Sequence, residues 1–342
     1  MTYDRINDQN DNNENNNYEV KRLILDKIRE YDRIILSRHI RPDGDAVGST
    51  LGLARIISAT YPGKDVRVVN SDYAEYTAFL GCESGQPDDN FYASALVIVL
   101  DTATTDRISN KRWDRGCEVI KIDHHIDVAP YGDIAWVEDQ RCATCEMIAD
   151  FYMTFSDELT LTREAATAIY AGMVTDSGRF RFRSVSPATL RCAAAMLEAG
   201  VNTEELFAEL YLEDLDALKL RAFVYDRIKM TEHGVAYIYI DREIKERFAL
   251  SDEEASATVS CLDSIKGSPI WIAFIDNSDG ETIRVRLRSR FVTIDKLANK
   301  YRGGGHDTAS GATLYSPDEI ELLLQDADAL LCDFKEKNRG VK

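Results

Sequence analysis

The chain has 342 residues, 44% of them hydrophobic, enough for two domains each with its own core. A formal net charge of −18 excludes a protein that holds long nucleic acid through its phosphates, because that mode needs a basic face. Seven cysteines without a framework spacing fit reduced thiols, and neither a signal-peptide-like start nor an apolar run of membrane length is present, which points to the cytoplasm.

Residues 1–17 contain an Asn/Asp/Glu-rich run, NDQNDNNENNN, that cannot bury a core and is expected to be a disordered tail. Order is expected from Tyr18, with the helix-like VKRLILDKIREY leading into a strand at 33–37. Three apolar runs then end in polar residues: RIILSRH (33–39), SALVIVLD (94–101) and CEVIKIDHH (117–125). Each reads as a buried strand whose C-terminal end feeds a loop, and helical segments lie between them, the clearest at 46–60. That alternation predicts a parallel α/β sheet, in which ligands collect outside the carboxyl ends of the strands.

Helical stretches follow at 144–155, 162–175 and 187–199, and TDSGRFRF occupies 175–182. Residues 203–230 are Glu/Leu/Ala-rich without Gly or Pro, the composition of a long connecting helix. After Gly234 the runs VAYIYI, PIWIAFID and TIRVRLRS read as strands separated by helices. The expected organisation is α/β throughout: a catalytic parallel-sheet domain at 18–200, a helical linker at 201–232 and a smaller α/β domain at 233–342. The cleft between the two domains is the expected substrate site.

Four of the five histidines fall in three short motifs: His39 in RHIRPDGDAVGS (38–49), His124 and His125 in IDHH (122–125), and His306 in RGGGHDTASGA (302–312). His39, Asp43 and Asp45 lie within seven residues, around Pro42 and Gly44, so a sharp turn can aim all three at one point. Taken alone, Asp45 before an apolar helix is accounted for as an N-cap. Asp101 ends a second strand, Asp123-His124-His125 a third, and Asp176 closes a helical run. Acids and imidazoles at the strand-end loops of one sheet converge in space, and convergent carboxylates call for divalent cations. Three glycines before His306 allow backbone N–H groups to approach an anion. Arg284, Arg286 and Arg288 alternate and so share one strand face.

Other features take structural readings. Cys142-x-x-Cys145 opens a helical run with no second such pair, as buried thiols do; His233 beside Gly234 reads as a turn residue. Phe180 and Phe182 alternate in a strand-like stretch and read as core, and Tyr73 and Tyr76 as ordinary aromatics.

Together the motifs resemble the DHH phosphoesterase family, named for the triplet at 123–125, over a span from about Tyr18 to the C-terminus. RHIRPDGDAVGS, LDTATTDRI, IDHH and TDSGRFRF are similar to its four motifs in order, and RLRSRF…GGGHDTASGA to the DHH-associated domain of one subfamily. The resemblance implies one metal held by His39, Asp43 and Asp101, and a second by Asp45, Asp101, His124 and Asp176, with Asp101 shared. It implies two Mn²⁺, with Mg²⁺ or Co²⁺ in substitution. It also assigns His125 to the scissile phosphate, Asp123 to orienting a neighbouring histidine, and Arg107 to bracing the second motif through Asp contacts. Arg288, Ser289, Gly303, Gly304, Gly305 and His306 would grip a non-reacting phosphate.

The implied activity is hydrolysis of short oligonucleotides to mononucleotides and of pAp to AMP and phosphate, as in the nano-RNase/pAp phosphatase branch. A pApA or c-di-AMP phosphodiesterase and an exopolyphosphatase are the alternatives. A non-catalytic nucleotide-binding module is disfavoured because every implied ligand position is filled. Family II pyrophosphatases lack the GGGH domain, and RecJ-type exonucleases are longer. The implied partners are short oligonucleotides or small nucleotides such as pAp, with no membrane and no long nucleic acid; a homodimer is left open.

Overall fold

The computed structural model describes residues 4–338, with side chains from residue 17. The chain divides into two compact units, Met1–Leu212 and Glu213–Lys342.

Unit 1 is built on five strands, β1 (Arg33–Ser37), β2 (Asp65–Val68), β3 (Ala95–Leu100), β4 (Glu118–Asp123) and β5 (Ile134–Val137). All pair in parallel, in the order β2-β1-β3-β4-β5. β3 is ALVIVL, a continuous apolar run rather than an alternating one, because both its faces are covered and all six residues are buried. Seven helices belong to this unit: α1 (Asp4–Glu30), α2 (Gly44–Thr60), α3 (Asp89–Tyr92), α4 (Thr144–Thr154), α5 (Arg163–Asp176), α6 (Pro187–Glu198) and α7 (Thr203–Tyr211). α1 anchors its C-terminal half through Ile24, Leu25 and Ile28, which join the main core. The helix extends back to Asp4, through most of the run expected to be a disordered tail. That run contains neither Gly nor Pro, so it lacks the two strongest helix breakers although its Asn and Asp are weak helix formers. Residues 1–3 lie outside the described residues.

A glycine ridge sets the spacing of the helices. Gly44, Gly48 and Gly52 recur every four residues on α2, facing α5. A Cβ at Gly48 would run into the carbonyl of Ala168, and one at Gly44 would come within 2.8 Å of the Thr175 methyl. From α5, a Cβ at Gly172 would meet Cys145 Sγ and stand 3.0 Å from Asp45 Oδ1. The α2, α4 and α5 backbones therefore approach closely beside the first motif.

Two expectations are corrected in this region. The segment after α5 is a chain reversal and not a strand: Gly178, Arg179 and Phe180 take left-handed φ of 58°, 62° and 59°. Phe180 packs against Tyr170, while Phe182 is exposed and is not core. The expected 203–230 helix is two helices, α7 and α8 (Leu215–Arg227), broken at Leu212 to Asp214 by extended backbone. The break follows burial: Leu206 of α7 joins the unit 1 core, whereas Val224 of α8 joins unit 2. The separate linker expected at 201–232 is thus divided between the units.

Unit 2 has six strands, β6 (Lys229–Met230), β7 (Ala236–Ile240), β8 (Ile270–Asp276), β9 (Ile283–Ser289), β10 (Gly304–His306) and β11 (Ala309–Leu314), in the order β10-β11-β9-β8-β7-β6. Only the β7–β8 pair is parallel. Besides α8 its helices are α9 (Arg242–Phe248), α10 (Asp252–Ala257), α11 (Asp295–Lys300) and α12 (Asp318–Lys337). One sheet face packs Ile272, Phe274, Val285 and Leu287 with Leu323, Ala327 and Leu331 of α12. The other packs Ala236, Ile238, Trp271 and Ala273 with Val224, Ala255 and Leu262. Among the described residues no helix is long and apolar enough to cross a membrane.

Candidate metal centre

The carboxyl ends of β1, β3 and β4 and the helix termini beside them bring the first four motifs together. Asp43 is the N-cap of α2: its Oδ1 accepts from the backbone N–H groups of Asp45 and Ala46 at 3.1 and 3.0 Å. The capping role considered for Asp45 therefore falls two residues earlier, and Asp43 still points Oδ2 at His39 Nε2, 3.7 Å away. Asp45 is buried in the first turn of α2 and accepts from the N–H groups of Thr144 and Cys145 at 2.7 and 2.8 Å. These two donors open α4, where free N–H groups and the helix dipole favour an anion. Asp101 leaves β3 in a left-handed conformation, φ 51°, its N–H held by the Ile122 carbonyl at 2.9 Å. Such backbone costs about 1–3 kcal/mol in a non-glycine residue, and here it turns the carboxylate to the end of the sheet.

Three histidines face these acids. His39 Nδ1 lies 2.8 Å from the Ile40 carbonyl, which can only accept, so this nitrogen carries the proton and Nε2 faces Asp101 at 3.4 Å. His124 repeats the pattern: Nδ1 is 3.2 Å from the Arg141 carbonyl, and Nε2 stands 3.5 Å from Asp101, 3.5 Å from Asp176 and 3.9 Å from Asp45. His125 differs, since its Nδ1 is 2.8 Å from Asp123 Oδ1 and 3.6 Å from Asp101 Oδ1. Asp123 is fully buried beside the equally buried Lys121, 3.5 Å away. Lys121 also reaches Asp127 at 2.9 Å.

Crowding shows in the ionisation of these groups. Burial, reinforced by Asp101, pushes Asp45 well above the usual carboxylate range. Burial also raises Asp176, to about 6, with His124 pulling it down and Asp101 pushing it up. Asp43 goes the other way, to about 2: burial would raise it, but His39 and the N-cap donors outweigh that. Burial would lower His39, yet its hydrogen bonds to Asp101 and Asp43 raise it to about 10. His124 is likewise raised, the neighbouring Asp45, Asp101 and Asp176 overcoming burial.

The donor chemistry fits two divalent cations. Among the described residues, His39/Asp43/Asp101 and Asp45/His124/Asp176 each present ligand atoms within 4.8 Å of one another, and Asp101 also groups with His124 and His125. Two imidazole nitrogens and four carboxylates make a mixed borderline-hard set. His125 would have to surrender its bond to Asp123 to join as a ligand through Nδ1, so it is the least suited of the three.

Sequence reasoning missed the pair of amides at Thr144 and Cys145; it took Cys142-x-x-Cys145 as structural thiols, and both are buried and free. It also missed the glycine ridge, which the G-x3-G-x3-G spacing in GDAVGSTLG could have disclosed. Arg107 approaches His39 Nδ1 at 3.4 Å and has no Asp partner among the described residues, contrary to expectation.

Unit 2 holds the remaining expected residues. Register places His306 opposite Ala309 and Ala309 opposite Arg288, so all three share one sheet face. Ser289 is buried and donates its hydroxyl to the Val292 carbonyl, while its N–H goes to Thr308 at 2.9 Å. With both donors spent, Ser289 is withdrawn from the phosphate-gripping set. Gly303 gives its N–H to Ala298 at 3.0 Å, and a Cβ on Gly303 would overlap the Gly311 backbone. At Gly305, φ is 144° and a Cβ would stand 2.6 Å from the Ala309 carbonyl. Two of the three glycines are thus required by the β10–β11 hairpin itself; Gly304 and the exposed His306 remain open to a ligand.

Comparison with known proteins agrees with this division. Residues 33–173 match the DHH family N-terminal domain, and residues 213–333 the DHHA1 domain. The chain is 38% identical over 312 residues to the bifunctional oligoribonuclease and PAP phosphatase NrnA of Bacillus subtilis, covering 91% of this chain and 98% of that one. It is 30% identical over 300 residues to the protein of the same name from Thermus thermophilus, covering 87% and 89%. An exopolyphosphatase-related protein from Bacteroides fragilis has the same fold, with a TM-score of 0.76 at 24% identity over 92% of this chain and 97% of that one.

Proposed function

Because the chain belongs to the DHH family and carries a DHHA1 domain, we propose that it is a two-metal phosphoesterase cleaving short oligonucleotides to mononucleotides and pAp to AMP and phosphate. The observation that carries this reading is the convergence of His39, Asp43, Asp45, Asp101, His124 and Asp176 into two adjacent donor sets, with Asp101 of the first 3.5 Å from His124 of the second. Relatives bearing both activities in their names match over nearly their whole length.

His39, Asp43 and Asp101 would hold one divalent cation, Mn²⁺ in this reading, and Asp45, Asp101, His124 and Asp176 would hold the other. Such cations lower the pKa of an attacking water and neutralise charge that develops on the phosphoryl oxygens. The chain's own groups do the rest. Asp123 holds the Nδ1 proton of His125, which fixes the ring so that Nε2 meets an oxygen of the scissile phosphate. Arg288 of β9 grips the non-reacting phosphate, and His306 and Gly304 flank it from the β10–β11 hairpin.

A panel of pAp, pApA, c-di-AMP, oligonucleotides from dimers to decamers, polyphosphate and pyrophosphate at fixed Mn²⁺ tests the reading. pAp and the shortest oligonucleotides should turn over fastest, and activity should fall with length. Polyphosphate as the best substrate would replace this reading with an exopolyphosphatase.

A further inference from the structure

One face of the unit 2 sheet is only half covered. Over β7 and β8 it is sealed by α8, α10 and the Thr258–Leu262 turn. Over β9 and β11 it continues as a polar strip, with Arg288 in register with Trp271 and Ala309, Arg286 with Ala273 and Gly311, and Arg284 with Ile275 and Thr313. Where cover gives way to strip lies a cavity of about 600 Å³, lined by Arg286, Arg288, Glu253, Asp263, Ser260 and Trp271 among others. That volume is in the range of small-molecule sites, about 300–1,000 Å³.

The three arginines are not equivalent. The Glu253 carboxylate takes Arg284 Nη1 at 2.9 Å and Arg286 Nη2 at 3.6 Å. Arg288 has no carboxylate partner among the described residues; its Nη1 donates to the Leu287 carbonyl at 2.8 Å and lies 3.4 Å from that of Ser310. Two cationic and two anionic side chains line the cavity, which is therefore formally neutral although it sits on an arginine strip.

We propose that Glu253 is a specificity residue: by occupying Arg284 and Arg286 it leaves one guanidinium for one phosphate, so the cavity accepts a nucleoside monophosphate end and rejects a chain of inorganic phosphates. A phosphate on Arg288 leaves sugar hydroxyls and base amines to donate to Glu253 and Asp263, while Trp271 offers an apolar wall. Inorganic polyphosphate brings few donors at neutral pH and sets its second and third phosphates against those carboxylates. The inference rests on the proposed function only in taking unit 2 as the part that holds the non-reacting end.

The test is equilibrium binding to the full-length protein in EDTA, by titration calorimetry with 5′-AMP and with inorganic tripolyphosphate. AMP should bind at least about tenfold more tightly than tripolyphosphate. Glu253→Gln should tighten tripolyphosphate about tenfold and weaken AMP, whereas Glu281→Gln, the same charge change at an exposed position off the cavity, should do neither. Arg288→Ala should abolish AMP binding. Tripolyphosphate bound as tightly as AMP, a Glu253→Gln shift no larger than that of Glu281→Gln, or AMP binding that survives Arg288→Ala would each overturn the proposal. No turnover is involved, so a protein that binds as stated yet hydrolyses nothing in the panel would count against the function and not against this role for Glu253.

Discussion

At the scale of single residues, Asp101 concentrates the conflicts of the site. It carries a left-handed backbone, is almost fully buried and contributes to the raised pKa of Asp45 and of Asp176. Replacing it by Asn keeps the shape, tolerates positive φ and removes one of the clustered charges. Asp101→Asn should lower turnover by more than about a hundredfold, since both proposed ligand sets would lose a carboxylate, while raising the melting temperature of the metal-free protein. A metal-free variant that melts below wild type would show that Asp101 is stabilising without metal. The clustering of such residues was legible in the sequence because acids and imidazoles that end successive parallel strands meet at one edge of the sheet, as His39, Asp101 and His124 do. Ser289 was misassigned for the complementary reason: whether a hydroxyl is free depends on a carbonyl three residues away, and the Val292 carbonyl takes it.

At the scale of elements, the approach of α2 to α5 holds Asp45 and Asp176 to the same imidazole. Adding one methyl at Gly48 would press on the Ala168 carbonyl and lie 3.0 Å from Cys145 Sγ. Gly48→Ala should cost about 1–3 kcal/mol in urea unfolding and weaken metal binding, whereas Gly63→Ala, which meets nothing within 4 Å, should do neither. Matching losses in the two variants would remove the ridge from the account of the site.

Unit 2 has its own pH-sensitive tie, because Asp328 of α12 accepts from Nδ1 of His233 at 2.7 Å and from the His233 N–H at 3.0 Å. The Asp328 hydrogen bond raises the pKa of His233, so its contribution is complete below about 6.5 and fades as pH rises through the raised value. Asp328 is lowered, its hydrogen bonds to Thr231 and His233 outweighing burial, so its contribution is complete above about 3.8 and fades at lower pH. The tie is therefore strongest between those limits. His233→Ala should destabilise the protein more at pH 5.5 than at pH 9, as read by urea midpoints; equal losses would exclude the ion pair.

At the scale of the whole molecule, all six proposed metal ligands lie in unit 1. Saturation with Mn²⁺ at about a hundred times the dissociation constant adds about 2.7 kcal/mol per ion, or about 5.4 kcal/mol for the two proposed, to the unit that binds them. At about 2–4 °C per kcal/mol for a body of this size, calorimetry should show an upward shift of roughly 11–22 °C, reversed by EDTA and absent in Asp101→Asn. A shift of the same size in that variant would place the ions elsewhere. Local period and side-chain chemistry were enough to read the α/β class, the parallel first sheet and the acids and imidazoles that gather at its strand ends. Three-dimensional packing alone set where α7 and α8 part, which glycines serve packing, and what engages Arg284 and Arg286 beside Arg288, the one with motif support. Each of those depends on a partner distant in sequence: the core a helix faces, the strand that lies against Gly303, and the carboxylate of Glu253, 31 residues before Arg284.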